Sequence, residues 1–217
     1  MTLPHVERTL LRDTAYEAIR DAIVRGDIAP GAVVSNAAVA DQLGLSRAPV
    51  RDALARLADE GLVETKPQSY TRVTRLVLKE VRDAVAVVRA MHELAARTAV
   101  PLLTAGDIGA MREANRRFEV ATEAGDVDAA MDSDDGLHGV LVGVCGNRAV
   151  AATIERYTPL IRRLERRQFS SARARRSVLR HDELIAACAA GDVDEAIRVT
   201  SSIWRSLEDL ADDLSPR

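Results

Sequence analysis

Residues 46–54, SRAPVRDAL, set two arginines four positions apart, with a proline between them, in a stretch that otherwise reads as helix. Leu45 before it and Ala55 to Glu60 after it complete the picture. Ser46 is a capping residue, and Val50, Ala53, Leu54 and Leu57 recur at helical spacing as a buried stripe. Gly61 ends the helix. Pro49 then falls in the first turn, where a missing N–H costs little. The two charges, Arg47 and Arg51, flank the stripe near the N-terminal end and are free to meet something outside the molecule.

Working outward, ERTLLRDTAYEAIRDAIVRG (residues 7–26) reads as an amphipathic helix. Leu11, Ala15, Ile19, Ala22 and Ile23 lie on one side and Gly26 is the stop. DIAPGAVV is a turn and a short extended piece. Ser35 caps a second short helix, NAAVADQL, which Gly44 ends. LVETK and YTRVTRL follow as two strands around the turn PQS. Two short helices joined by a glycine turn are the helix-turn-helix arrangement, with small Ala40 at their crossing. In that motif the N-terminal end of the second helix enters the major groove of double-stranded DNA. An arginine there offers two parallel donors to guanine, worth about 1–3 kcal/mol of discrimination. Two solvated surface arginines are the plainer alternative. The capped helices and the following hairpin favour the DNA reading.

The stretch PGAVVSNAAVADQLGLSRAPVRDALARLADEGLV (residues 30–63) resembles the winged helix-turn-helix of GntR-type bacterial regulators. The shared elements are Pro30-Gly31, Leu43 to Arg47, Pro49-Val50-Arg51, Ala53-Leu54, Leu57 and Glu60 to Val63. The resemblance implies that Arg47 and Arg51 read bases, that Ser46 touches phosphate, and that a homodimer reads a short palindromic operator. Two departures stand out. The second helix opens Asn36-Ala37-Ala38 where the family often has charges, and the wing tip is Gln68-Ser69-Tyr70 where it often has arginine-glycine. Lys66, Tyr70 and Arg72 are therefore expected on phosphates rather than in the minor groove. Residues 1–78 carry ten basic and ten acidic side chains, so binding must rest on local placement and on two copies.

From about Val77 strand alternation stops, and residues 77–217 read as an all-α bundle of six helices, punctuated by Gly125, Gly146 and Gly191. They begin with residues 78–103 as one helix. Residues 105–125, capped by Thr104, 127–146, 147–169, 172–191 and 192–214 follow. The expected fold is mostly α, a winged helix-turn-helix over residues 1–76 and then this bundle, able to enclose a cavity. The arginine-rich residues 156–180 read as a solvated hairpin with internal Glu–Arg pairs. In the last helix Ile197, Ile203, Trp204 and Leu207 read as packing for the bundle or a dimer.

Asp134 and His138, spaced i, i+4, share a helix face and can bind one divalent cation. This part also resembles the ligand-sensing domain of the FadR branch of the GntR family, in its shorter, VanR-like variety. Arg89 with Glu93, Asp134 with His138, Gly146-Asn147, His181 and Gly191-Asp192 carry the likeness. The resemblance alone brings His181 beside His138. It also implies that Arg89 pairs with the carboxylate of a small acidic metabolite, and that Asp134, His138 and His181 hold a divalent metal such as zinc. The family's third histidine falls, by counting, on Ile203, which cannot ligate, so the metal site is expected to be weakened or absent. Two fillings of the site stay open: a loosely held metal with the effector's carboxylate as an added ligand, or the acid bound directly by Arg89 and protonated imidazoles. His92 reads as a packing residue.

Over its 217 residues the chain is 47% hydrophobic, 29% charged and 3% aromatic, with net charge −3, the profile of a folded helical protein rather than a coat for nucleic acid or membrane. Two cysteines without metal spacing, Cys145 and Cys188, and the absence of a signal-type or membrane-spanning run lead to the expectation of a cytoplasmic protein. No glycine-rich phosphate loop, nucleophile elbow or H-E-x-x-H is present. A metal-dependent hydrolase built on Asp134, His138 and His181 and a ligand-free architectural DNA binder are the rival classes. The polar set Arg89, His138 and His181 argues against the second.

Overall fold

A computed structural model describes residues 11–66, 69–169 and 174–213, and the chain divides into two compact units, Met1–Leu76 and Val77–Arg217. The wing-tip residue Gln68, the start of the first helix before Leu11, the start of the fifth bundle helix at Ala172 and the end of the last at Leu214 lie outside the described residues.

Unit 1 contains α1 (Leu11–Arg25), α2 (Asn36–Leu43), α3 (Arg47–Asp59), β1 (Val63–Lys66) and β2 (Tyr70–Val73). The strands pair antiparallel, from Val63 opposite Val73 to Lys66 opposite Tyr70, and Val33 bridges to Arg72 at the edge. Ser35 caps α2 by accepting from the Ala38 N–H at 3.4 Å, and Gly44 ends it at φ 65°, where a side chain would be strained. Val50, Ala53, Leu54 and Leu57 are the buried face of α3, packed with Ala15, Ile19, Ile23, Ala40 and Leu62.

Two expectations change in this unit. Ser46 has the backbone of an N-cap, yet its side chain makes no capping hydrogen bond. The reason is Pro49: it occupies the third helical position, whose N–H is a usual partner of a serine cap, and it has none. In α1, Leu11 is exposed and Tyr16 takes the buried place. The Tyr16 hydroxyl donates to Glu60 Oε2 at 2.7 Å and the Arg56 guanidinium lies 3.7 Å from the ring centre. Burial and the Glu60 carboxylate push this phenol up to about 12. The bond ties α1 to the C-terminal end of α3.

Unit 2 contains α4 (Leu78–Ala99), α5 (Ala105–Ala124), α6 (Val127–Cys145), α7 (Arg148–Phe169), α8 (Ala174–Ala190) and α9 (Val193–Asp213). These are six α-helices among the described residues. The first is shorter than expected: Pro101 has no N–H for the ladder, and Val100–Leu102 form a 3₁₀ turn instead. Thr104 and Asp107 form a capping box at the start of α5, with Asp107 N donating to Thr104 Oγ1 at 3.2 Å and Thr104 N to Asp107 Oδ2 at 2.8 Å. Asp126 caps α6. α4 packs along α9, α7 and α6, and α5 against α6 and α8. Met111, Leu137, Leu141, Leu184 and Val199 fill the core between alanines 96, 99 and 196, whose small side chains let the helices approach closely.

The expectation of a solvated arginine hairpin is corrected in α7. Arg162, Arg163 and Glu165 are buried. Arg162 pairs with Asp135, and Arg166 pairs with Asp128, both carboxylates on α6. Charged side chains were expected in water; facing carboxylates make their burial tolerable. Cys145 and Cys188 are free thiols. No helix among the described residues is long and apolar enough to cross a membrane.

Candidate functional site

Two places carry chemistry. In unit 1, Ser46, Arg47 and Arg51 are all exposed at the N-terminal end of α3. Arg51 is 70% exposed, its Nη2 3.6 Å from Asp52 Oδ1, a loose pair that leaves the guanidinium available. Lys66 is exposed at the end of β1. Arg72 is more engaged: it pairs with Glu64, and its guanidinium lies 4.6 Å from the Tyr70 ring centre. A phosphate would have to compete with Glu64 for it.

In unit 2, α6 and α8 bring Asp134, His138 and His181 together. All three are buried, and their ligating atoms lie within 4.8 Å of one another. His181 Nε2 is 3.3 Å and His138 Nε2 3.8 Å from Asp134 Oδ1. Atoms sharing a tetrahedral zinc at bond lengths near 2.0–2.2 Å sit roughly 3.3 Å apart, so the spacing suits such an ion. Phe118 packs edge-on against His181 and Phe169, with ring centres 5.0 Å apart in each pair, and holds the imidazole from behind.

The proton on His181 is fixed from α5. Asn115 Nδ2 donates to Asp182 Oδ1 at 2.8 Å and to the Val178 carbonyl at 3.2 Å, so its Oδ1 is left to accept. That oxygen is 3.0 Å from His181 Nδ1. Nδ1 therefore carries the hydrogen, and in the neutral ring Nε2 presents a lone pair to the Asp134 carboxylate. Lone pair against carboxylate is repulsive unless a cation lies between them. An outer partner that sets tautomer and orientation is what metal-ligating histidines usually have.

Burial favours the neutral ring at the two histidines nearest Trp204. Burial pulls His138 down to about 4, against the pull of Asp134, and burial pulls His92 down to about 3. Asp134 and His138 border a cavity of about 130 Å³ lined also by His92, Thr158, Arg162, Glu165 and Trp204. His92 stacks on Trp204 with ring centres 4.6 Å apart, the packing role expected of it, while also facing this cavity. A smaller cleft is lined by the triad, Glu165, Phe169, Ile203 and Trp204. Ile203 thus lines the same cleft as the triad.

Arg89 stands apart. Its Nε is 3.3 Å from Glu208 Oε1 without hydrogen-bond alignment, its Nη1 is 3.9 Å from Glu93, and it lines neither cavity. The cation at the cavity is Arg162, whose Nη1 makes no hydrogen bond. Sequence reasoning missed Arg162, Glu165, Asn115 and Trp204 as site residues. A signal for the first two was present: arginines and a glutamate on the α7 stripe that carries Ile161 and Leu164.

Residues 11–73 match the family of bacterial regulatory proteins described as gntR, and residues 82–206, more than half the chain, match the FCD domain. The chain belongs to the GntR family. Its GntR relatives are transcription regulators, not enzymes, and the chain is a DNA-binding transcription regulator. The HTH-type transcriptional repressor RspR of Escherichia coli (strain K12) is 27% identical over 184 residues, 84% of this chain and 81% of that protein. A probable D-xylose utilization operon transcriptional repressor of Paenarthrobacter nicotinovorans is 38% identical over 96 residues, 42% of each chain. Among solved structures, E. coli McbR/YncC shares the fold with a TM-score of 0.83 at 19% identity, covering 95% of this chain and 99% of that one.

Proposed function

We propose that this GntR regulator is a homodimeric repressor whose FCD unit binds a small carboxylate through a divalent cation, and that binding lowers operator affinity. Arg47 and Arg51 read base edges, Ser46 reaches phosphate, and Lys66, Tyr70 and Arg72 steady the wing on the backbone. Asp134, His138 and His181 hold the cation. Relatives named as repressors support the sign of the effect.

The observation that carries the metal reading is the Asn115-fixed lone pair of His181 aimed at Asp134 at 3.3 Å. The rival reading, an acid held directly by protonated histidines and Arg89, is less well supplied: burial keeps His138 neutral at pH 7, Arg89 lines neither cavity, and Arg162 at the cavity is already paired with Asp135. A divalent ion also supplies what an acid needs here, because Asp134 repels it otherwise, while Asp135 is paired with Arg162.

The test is elemental analysis of protein purified without chelator or nickel resin, beside an Asp134→Ala variant. Near-stoichiometric metal in the parent and none in the variant is expected. Metal-loaded protein should show a thermal shift with small carboxylates, and chelated protein should not. No metal in the parent after incubation with zinc would end this reading.

A further inference from the structure

Three protein ligands leave a buried divalent ion short of a tetrahedral shell, and the side chains of α9 in the cleft beside the triad, Ile203, Trp204 and Leu207, cannot complete it. The wall facing that cleft from α7 carries a different group. Glu165 is 5% exposed and lines both the cleft with the triad and Ile203 and the larger cavity. Four residues on, Phe169 lines the same cleft, so this face of α7 is turned toward the triad. Glu165 Oε2 is 3.4 Å from Arg162 Nη1, an ion pair without a hydrogen bond at that nitrogen, so Arg162 does not lock the carboxylate in place. Arg162 keeps a second anion, Asp135, if Glu165 turns away.

We infer that Glu165 supplies the fourth ligand of the metal centre, in place of the side chain that Ile203 cannot offer. Two carboxylates and two neutral imidazoles around a divalent cation sum to zero charge, which a buried site tolerates, and expansion to a fifth position keeps a place for the effector's carboxylate. The Glu165 carboxylate is outside the cluster of atoms within 4.8 Å of one another, so ligation requires its side chain to rotate from Arg162 toward Asp134. This assignment rests on the metal reading proposed above.

Zinc is the probe. The full-length protein is stripped with chelator, and zinc affinity is measured by competition with a chromophoric chelator for the parent, Glu165→Gln, Ile203→His and the double variant. Thermal melts confirm that each folds. Glu165→Gln should bind zinc about 100-fold more weakly or worse, since loss of even an outer partner costs about 10–100-fold. Ile203→His should restore the affinity when added to Glu165→Gln. Equal affinity of Glu165→Gln and the parent overturns the assignment and leaves the triad standing. A loss that the added histidine does not repair also overturns it, because the defect is then in the pocket rather than in a ligand. Failure of the parent to bind zinc ends the metal reading itself and takes this assignment with it.

Discussion

At the scale of the residue, Asn115 shows how a position far in sequence decides the chemistry of a site. It touches no ion in the proposed centre, yet its carbonyl oxygen chooses which His181 nitrogen is free. Asn115→Ala should weaken zinc binding by roughly 10–100-fold, with the helix content unchanged by circular dichroism. Unaltered affinity would mean that the tautomer does not matter. A second residue-scale balance involves titration. Burial lowers His92 and His138 to about 3 and 4, so on acidification below about 6.5 the unfolded chain takes up protons first and stability falls. Glu165 works in the opposite sense: burial raises its carboxyl, the folded state takes up the proton first, and stability rises as pH falls through that raised value. Each group contributes about 1.4 kcal/mol per pH unit within its window, so the two effects partly offset between about 5.5 and 7. Glu165→Gln removes the offset. In chelator, that variant should lose about 2–3 kcal/mol from pH 7 to 5.5, and the parent clearly less, as read by denaturant unfolding. Identical slopes would show that Glu165 is not protonated in the folded state.

At the scale of the element, α3 was legible almost residue by residue, because a buried stripe at helical spacing and a glycine stop act locally. Its cap was not: the presence of Ser46 was plain, but the consequence of Pro49 as the missing donor appears only once positions are counted within the folded turn. The free end of α3 leads to a prediction about DNA. Arg47→Ala and Arg51→Ala should each abolish sequence-selective binding in a gel shift while altering stability by no more than about 0.5 kcal/mol. Lys66→Ala should weaken binding evenly across sequences. Full operator affinity in Arg51→Ala would move the reading surface elsewhere. α7 was the least legible element. Its arginines look like a wet surface in the sequence, and only the packing of α6 against it shows that Asp128 and Asp135 wait opposite.

At the scale of the whole molecule, fold and family were readable because glycines, prolines and caps punctuate most of the chain's boundaries. The candidate metal triad was only half readable. Asp134 and His138 share a helix, but His181 comes from another element, and no spacing rule brings it in. Arg89 carried an expected role that its neighbours Glu208 and Glu93 occupy instead, and such pairing between α4 and α9 is invisible in a linear pattern. The even balance of charge in the first 78 residues bears on assembly. A reading unit with no excess positive charge has little general affinity for DNA, so a single copy should hold poorly and two copies should hold together. A duplex with both half-sites should shift at protein concentrations where a duplex with one half-site stays free. Equal retention of the two duplexes would remove the homodimer from the proposal.

Pro159 lies within α7, in the stretch where Ile154, Thr158, Ile161 and Arg162 line the cavity. A proline gives no N–H to the helix ladder, so the wall of the cavity carries a built-in weak joint. Closing around an occupant costs least where a hydrogen bond is already missing. Amide exchange is the clock that reads this: the amides of Leu160 to Leu164 should exchange faster than those of α5 in the stripped protein, and slow when zinc and a small carboxylate are added together. Exchange that is uniform along α7, and indifferent to both additions, would mean that the joint is stiff and the cavity wall does not take part.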